Sequence, residues 1–172
     1  MITILSASNR NENLTTLFAS RCKSFLEDKN IPSKLFCLSD IPDQISLKSV
    51  YDYGNSVFTQ IGLDYIQPSE KILFVLPEYN GSMPGILKLF IDALEPKIFV
   101  GKKAGLIGVS AGRAGNLRGM DHLTDVLHHL QVHVMPQKLP ISNMYAMLDG
   151  EKVVDGATLK DIEQQIDRLI QY

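Results

Sequence analysis

Residues 72–94, ILFVLPEYNGSMPGILKLFIDAL, contain a strand pattern, a loop pattern and a helix pattern in succession. Ile72–Leu76 is a short, continuously apolar run, which is typical of a strand buried on both faces. Pro77–Met83 is rich in turn-forming residues and predicts a loop. Pro84 suits the first turn of a helix, and apolar side chains follow at helical spacing: Ile86, Leu87, Phe90, Ile91 and Leu94. The stretch therefore predicts the first half of a βαβ unit.

The same alternation extends outward through the 172 residues. Strands are predicted at Met1–Leu5, Lys34–Leu38, Ile72–Leu76, Ala104–Val109 and Val132–Met135. Helical spacing is found within Leu14–Leu26, Val57–Ile66, Ile86–Leu94, Leu123–Leu130 and Leu159–Ile170. Asp40–Gly54 has no clear pattern and is expected to be a long loop. The pattern predicts an α/β protein with a doubly wound five-stranded parallel sheet and helices on both faces, and both common strand orders remain compatible with it.

Length and composition are those of an ordinary globular domain, and we expect residues 1–172 to form a single one. Hydrophobic residues make up 45% and charged residues 21%, and the formal net charge is −2. Lysine and arginine are scattered, so we expect neither a nucleic-acid partner nor binding to a membrane surface. No apolar run approaches the roughly 20 residues that span a bilayer.

The two cysteines and the first residues of the chain favour a cytoplasmic location. Cys22 falls on the apolar spacing of the first helix, and Cys37 lies within the second strand. Buried free thiols are the expected state of both, as in a reducing compartment. Met1–Leu5 is apolar and lacks a basic region in front of it, so we expect no signal peptide.

Three loops of this pattern follow the carboxyl ends of strands, beginning at Ser6, Pro77 and Ser110. Ligands of open α/β sheets bind outside these strand ends, at the point where the strand order reverses. We therefore expect the three loops to face one crevice.

The first loop, Ser6–Asn13, leads into a helix, and free amide groups at a helix N-terminus attract anions. Ser8, Asn13 and Thr15 offer further donors, and Arg10 offers a positive charge. The loop lacks the glycine spacing of dinucleotide-binding and Walker loops. It suits a monophosphate, although a solvated turn with a helix cap also explains these residues.

The second loop carries a signature that resembles one family. Residues 77–85 read Pro-Glu-Tyr-Asn-Gly-Ser-Met-Pro-Gly, followed by Leu87-Lys88 and Ile91-Asp92. This is similar to the flavin loop of the NADPH-dependent FMN reductase family, P-E-Y-N-x-S-x-P-G followed by L-K and I-D, at every position.

The other two loops resemble the same family less completely. The family's phosphate loop is usually G-S-x-R-x-x-S-x-N, and Ser8 and Arg10 match it. Ala7 replaces the glycine, Asn13 the second serine and Thr15 the asparagine. Ser110–Gly115 resembles the small-residue loop that lies beside the pyrimidine edge of the flavin in the family.

The resemblance implies a flavodoxin-like fold and an enzyme in which bound FMN passes reducing equivalents from NADPH (or NADH) to a small acceptor. The acceptors it implies are a quinone, an azo compound, a metal ion or a free flavin, and it also implies a homodimer or a dimer of dimers. No side chain is expected to act as a catalytic acid or base, because the flavin carries the chemistry. The cofactor-binding residues it implies are Ser8, Arg10, Asn13, Leu14, Thr15, Pro77, Glu78, Tyr79, Asn80, Gly81, Ser110, Ala111, Gly112 and Arg113.

The chemistry of these residues agrees with a planar ligand. Glycines in the second and third loops allow close approach of the backbone. Tyr79 offers an aromatic contact, and Asn80 offers hydrogen bonds to the ring edge. Arg113, or the backbone of its loop, favours negative charge near the reduced ring. Glu78 is expected to shape the loop or contact the ring edge.

The sequence also has features that bear on a hydrolase, a metal site and an electron carrier. Gly108–Gly112 matches the G-x-S-x-G nucleophile elbow, but Asp121 and Asp125 lie too close to Ser110 for a hydrolase triad, and the predicted loop up to Gly119 delays the helix. The four histidines lack a cysteine or carboxylate that would complete a metal site, so no metal is expected. A flavodoxin-like electron carrier for protein partners remains the alternative function, and the near-neutral charge favours the enzyme.

Overall fold

The computed structural model describes residues 1–42, 47–53 and 56–172. Within them the strands are β1 (Ile2–Ser6), β2 (Ser33–Cys37), β3 (Lys71–Pro77), β4 (Lys103–Val109), β5 (His133–Ile141), β6 (Leu148–Asp149) and β7 (Lys152–Val153). The helices are α1 (Leu14–Asp28), α2 (Val57–Ile61), α3 (Gly85–Asp92), α4 (Leu117–His129) and α5 (Gly156–Gln171). The last two strands form a separate antiparallel hairpin.

The main sheet is parallel, with the strand order β2-β1-β3-β4-β5. The predicted doubly wound sheet is thus confirmed, and of the two common strand orders the structure has the flavodoxin-like one. The order reverses between β1 and β3, so the loops after these two strands flank the switch point.

Helices cover both faces of the sheet, as predicted. On one face α1 and α5 contribute Phe18 and Ile166 to a buried cluster with strand residues such as Val75. On the other face α3 and α4 contribute Phe90 and Leu123 to a second buried cluster. Both faces are apolar because parallel strands connected by helices are covered on each side.

The prediction that the fifth strand ends at Met135 is wrong. β5 runs to Ile141 through a bulge: Ala104 pairs with Val134, but Leu106 pairs with Lys138. Prolines are tolerated here because β5 is an edge strand. The buried Gln165 side chain donates to the Gln137 carbonyl oxygen at 2.7 Å and so satisfies the bulged segment.

The prediction that the third loop extends to Gly119 is also wrong, because α4 already begins at Leu117. Gly119 resembles a loop residue in the sequence, but it is a close-packing position within the helix. A Cβ atom at this position would lie 2.1 Å from the Asn116 side-chain oxygen. Asn116 itself has a left-handed conformation, with φ of 60°, immediately before the helix.

In two other segments the structure differs in detail from the predicted secondary structure. The helix expected over Val57–Ile66 is α-helical only to Ile61 and continues as a π-helical turn over Gly62–Ile66. Asp40–Gly54 was expected to be a loop, and its described part includes a 3-10 turn at Leu47–Tyr51. Positions 43–46 and 54 of that expected loop lie outside the described residues. No helix in the described ranges is long and apolar enough to cross a membrane.

Candidate cofactor site

A cleft of about 470 Å³ opens at the carboxyl edge of the sheet, between the first and second loops. Its volume falls in the range of roughly 300–1,000 Å³ that is usual for small-molecule sites. The residues that line it are Ser8, Arg10, Asn11, Glu12, Leu14, Thr15, Pro77, Tyr79, Met144 and Tyr145. Six of the expected cofactor-binding residues therefore meet in one place: Ser8, Arg10, Leu14, Thr15, Pro77 and Tyr79.

The first loop is braced by Asn13. Its side-chain amide donates to the Ser8 carbonyl oxygen at 2.9 Å, and its side-chain oxygen accepts from the Thr16 amide at 3.3 Å. Asn13 is thus the N-cap of α1 and also fixes the conformation of the loop. Both the amide nitrogen and the oxygen of its side chain are used in these bonds. The cap positions the first turn of α1 against the cleft, where Leu14 and Thr15 line it.

Ser8 connects the first loop with the second. Its side chain is buried, and its hydroxyl is hydrogen-bonded to the Tyr79 hydroxyl at 2.7 Å. The Arg10 guanidinium lies over the Tyr79 ring, 5.2 Å from its centroid. Arg10 is exposed, so its charge is available at the mouth of the cleft.

The tip of the second loop is a tight turn at Asn80-Gly81. Both residues have positive φ, 52° and 74°, and the flanking Tyr79 and Ser82 exchange two backbone hydrogen bonds of 3.0 and 3.1 Å. An Asn-Gly pair is favoured at both left-handed positions of such a turn. The conformation of Gly81 is therefore explained by the turn itself, before any ligand is considered.

The residue before α4 and the first turns of this helix contact the second loop. The buried Asn116 amide donates to the carbonyl oxygens of Leu76 and Pro77 at 3.0 and 2.9 Å. The Ser82 hydroxyl is hydrogen-bonded to His122 Nδ1 at 2.7 Å. Arg118 lies 3.9 Å from the Glu78 carboxylate, which supports the loop-shaping role expected of Glu78. The roles of Asn116, Arg118 and His122 are not evident from the sequence, because nothing in their spacing connects them with the second loop.

The third loop is held by the segment that follows β5. The Ser110 hydroxyl donates to the Gly112 carbonyl oxygen and accepts from the Gly115 amide. Asn143 and Met144 amides donate to the Gly112 and Ser110 carbonyl oxygens. Ala111, Gly112 and Arg113 are exposed, and they lie outside the group that lines the 470 Å³ cleft.

Met144 and Tyr145 line the cleft but were missed in the sequence. They belong to a 3-10 turn at Met144–Met147, between β5 and the hairpin. The Asp149-Gly150 pair at the hairpin is a recognised turn signal and could have indicated a chain reversal there. No comparable signal indicates that the preceding turn reaches back over the first loop.

The nucleophile-elbow alternative is not supported by this geometry. The helix begins only at Leu117, and the Ser110 hydroxyl is occupied by two bonds within its own loop. His129 lies on α4 and His133 on β5, so they do not share a helix face. Among the described residues there is no cluster of three or more potential metal-ligating side chains.

Both cysteines are buried free thiols, as predicted. Burial raises the pKa of Cys22 to about 12. Burial also raises the pKa of Cys37, whose sulfur is 3.7 Å from the Thr16 hydroxyl.

The donors of the cleft fit the phosphate end of FMN. Ser8 and Thr15 supply hydroxyls, Arg10 supplies a guanidinium and the capped start of α1 supplies a positive dipole end. The strand order places this chain in the flavodoxin-like class of α/β proteins, and flavodoxin binds FMN at the same β1/β3 switch point.

Comparisons with known proteins identify the family within this class. The model of the NADPH-dependent FMN reductase family matches residues 1–146, so the chain belongs to that family. It is 35% identical over 127 residues to an NAD(P)H-dependent FMN reductase of Pseudomonas aeruginosa, a match that covers 71% of this chain and 69% of that protein.

Two further proteins are similar to this chain, one in sequence and one in fold. A 2-hydroxy-1,4-benzoquinone reductase of a Burkholderia species is 32% identical over 109 residues, which cover 60% of each chain. The solved structure of an NAD(P)H:acceptor oxidoreductase of Paracoccus denitrificans has a TM-score of 0.79 and 22% identity, covering 99% of this chain and 95% of that one.

Proposed function

We propose that this protein is an FMN-dependent oxidoreductase that takes hydride from NADPH or NADH and reduces a small acceptor. Family membership over residues 1–146 carries the proposal, together with the complete Pro77–Gly85 signature beside the cleft. FMN, when bound, supplies the chemistry of accepting a hydride and releasing the electrons to a second substrate.

The phosphate end of FMN is assigned to the first loop. Ser8 and Thr15 donate hydroxyl hydrogen bonds, and Arg10 supplies charge. Leu14 lies at the start of α1, the positive end of the helix dipole. Asn13 acts indirectly, because its side chain is used to hold the Ser8 carbonyl and to cap the helix.

The ring of FMN is assigned to the second and third loops. Pro77 and Tyr79 line the cleft. Asn80 and Gly81 form the turn at the tip of the same loop, and Glu78 shapes the loop through Arg118. Ser110, Ala111, Gly112 and Arg113 are assigned to the polar edge of the ring.

The acceptor is assigned to a class of small molecules. The name of the Burkholderia relative is that of a quinone reductase, which supports a quinone. Azo compounds, metal ions and free flavins remain in the class. Because one open ring face serves both substrates in turn, we expect ping-pong kinetics. No side-chain acid or base is needed for the hydride step, so no catalytic residue is assigned.

We also propose a single-domain protein, located in the cytoplasm, that forms a homodimer or a dimer of dimers. The described surface beside α3 and α4 carries a groove of about 640 Å³, with Tyr51 and Tyr53 exposed at its edge. Such a groove with exposed aromatic side chains is suited to a two-fold interface. Light scattering at micromolar concentration should give at least twice the chain mass, and a monomer would contradict this part of the proposal.

Purified protein tests the function directly. Mass spectrometry of the ligand released by heat, or after reconstitution, should identify FMN. FMN-loaded protein should oxidise NADPH or NADH with a quinone or free FMN as acceptor. If the loaded protein accepts electrons from a reductase protein but from neither nucleotide, it is an electron carrier and not an enzyme of this kind.

A further inference from the structure

One hydrogen bond joins the two loops to which different ends of FMN are assigned. Ser8 belongs to the phosphate loop and Tyr79 to the loop that carries the ring, and their hydroxyls are 2.7 Å apart. The Arg10 guanidinium covers the Tyr79 ring at 5.2 Å from its centroid. Among the described residues, the other hydrogen bond to Ser8 Oγ comes from the Arg10 backbone amide, at 3.4 Å.

These contacts determine where the Ser8 proton points when an anion is present. A serine hydroxyl has one proton to donate and two lone pairs that accept. The Arg10 backbone amide can only donate, so it uses one lone pair. If the Tyr79 hydroxyl donates to the other, the Ser8 proton is left to be donated to a third group. A deprotonated phosphate oxygen can only accept a hydrogen bond. A phosphate in the cleft therefore favours the arrangement in which Tyr79 donates to Ser8 and Ser8 donates to the phosphate.

We propose that Tyr79 is a positioning residue that makes recognition of the phosphate depend on the placement of the flavin loop. The Tyr79 hydroxyl orients Ser8 as a donor to the phosphate, and its ring supports the cation of Arg10. This inference rests on the proposed function, and it predicts that part of the preference for FMN over riboflavin comes from a residue outside the phosphate loop.

A Tyr79→Phe variant isolates the hydroxyl, because the ring and its contact with Arg10 are kept. FMN affinity should fall roughly three- to tenfold, as for loss of one ordinary hydrogen bond, while riboflavin affinity stays within about twofold. Flavin fluorescence titration measures both constants. Ser8→Ala should have a similar effect, and the Ser8→Ala/Tyr79→Phe double variant should bind FMN no more weakly than Ser8→Ala alone, because the two changes break one coupled pair.

Tyr172→Phe is the matched control. Tyr172 does not belong to the group that lines the cleft, and its hydroxyl donates to the Val134 carbonyl oxygen at 3.4 Å. This variant should keep the wild-type ratio of FMN to riboflavin affinity. Circular dichroism and the thermal midpoint of each variant without flavin verify that it is folded.

The outcomes separate this inference from the proposed function. Wild-type protein that binds no FMN contradicts both. FMN binding with an unchanged FMN-to-riboflavin ratio in Tyr79→Phe overturns the inference and leaves the proposed function in place. Equal weakening of FMN and riboflavin also overturns it, because Tyr79 then acts through the ring-binding site alone. Additive effects in the double variant would show that the two hydroxyls act independently.

Discussion

Ser8, Arg10 and Thr15 bring two hydroxyl groups and one guanidinium to a single cleft beside the start of α1. The types of these residues, between a buried strand and a helix, also indicate an anion site from the sequence. The same reasoning included Asn13 as a donor, but its side chain holds the Ser8 carbonyl and caps α1. Ser110, which the family resemblance implied, also uses its hydroxyl within its own loop. Residue type indicates that a donor is present, whereas the fold decides whether it is already used.

Arg10 should contribute the most to phosphate binding among these side chains. Arg10→Ala should weaken FMN binding by about 1.5–3 kcal/mol, the range for hydrogen bonds to charged groups, and Ser8→Ala should cost less. Fluorescence titration measures both. Arg168→Ala, which removes an exposed arginine on α5, is the control for loss of net charge. Unchanged FMN affinity in Arg10→Ala would show that Arg10 is a solvated turn residue that does not bind the phosphate.

The two thiols should be inert in the folded protein. Cys22 has a pKa raised to about 12 by burial, and burial also raises the pKa of Cys37, so little thiolate exists near neutral pH. Alkylation by iodoacetamide at pH 7.5 should be slow in native protein and fast after unfolding in guanidinium chloride. Rapid modification of either cysteine in the native state would contradict the described burial.

At the scale of elements, α4 has a role that its sequence does not indicate. Its amphipathic spacing predicts a helix packed on the sheet, and Leu123 and Leu127 are buried accordingly. Asn116, which precedes the helix, and Arg118 and His122 in its first two turns also hold the second loop. These contacts depend on how two loops from separate strands approach each other, which local sequence patterns do not encode.

The contact between His122 and Ser82 distinguishes this histidine from the other three, which the sequence alone does not separate from it. His122→Ala should weaken FMN binding or lower kcat/KM by roughly two- to tenfold, because one hydrogen bond to the flavin loop is lost. His128→Ala removes an exposed histidine from the same helix and should have no effect. Equal behaviour of the two variants would show that the Ser82 bond does not position the loop.

Two glycines of the third loop should respond differently to the same substitution. Gly115 has φ of 56°, and a Cβ atom there would lie 2.4 Å from Pro140 Cβ, whereas a Cβ atom at Gly112 meets nothing within 4 Å. Gly115→Ala should therefore lower the free energy of unfolding by about 2–4 kcal/mol, from backbone strain and overpacking. Gly112→Ala should change it by less than about 0.5 kcal/mol. Urea unfolding of both variants tests this, and equal stabilities would be inconsistent with the packing of Gly115 against β5.

At the scale of the whole molecule, alternating apolar runs and helical spacings were sufficient to predict one parallel sheet covered on both faces. The pattern could not choose between strand orders, because local spacing carries no information on which strands are neighbours. The pattern also did not predict the second half of β5. Pro136 is typical of the end of a strand, but here it lies in a bulge on an edge strand. Met144 and Tyr145 line the cleft because their turn follows the second half of β5, the part of the strand that was not predicted.

Anaerobic reduction of the bound flavin tests the central claim most directly. Protein loaded with FMN is mixed with NADPH, and separately with NADH, while the visible absorbance of the flavin is followed, and a quinone is then added. The account predicts that at least one nucleotide bleaches the bound flavin and that the quinone restores its colour without release of FMN. Protein that binds FMN at one per chain, but whose flavin neither nucleotide reduces, would contradict it.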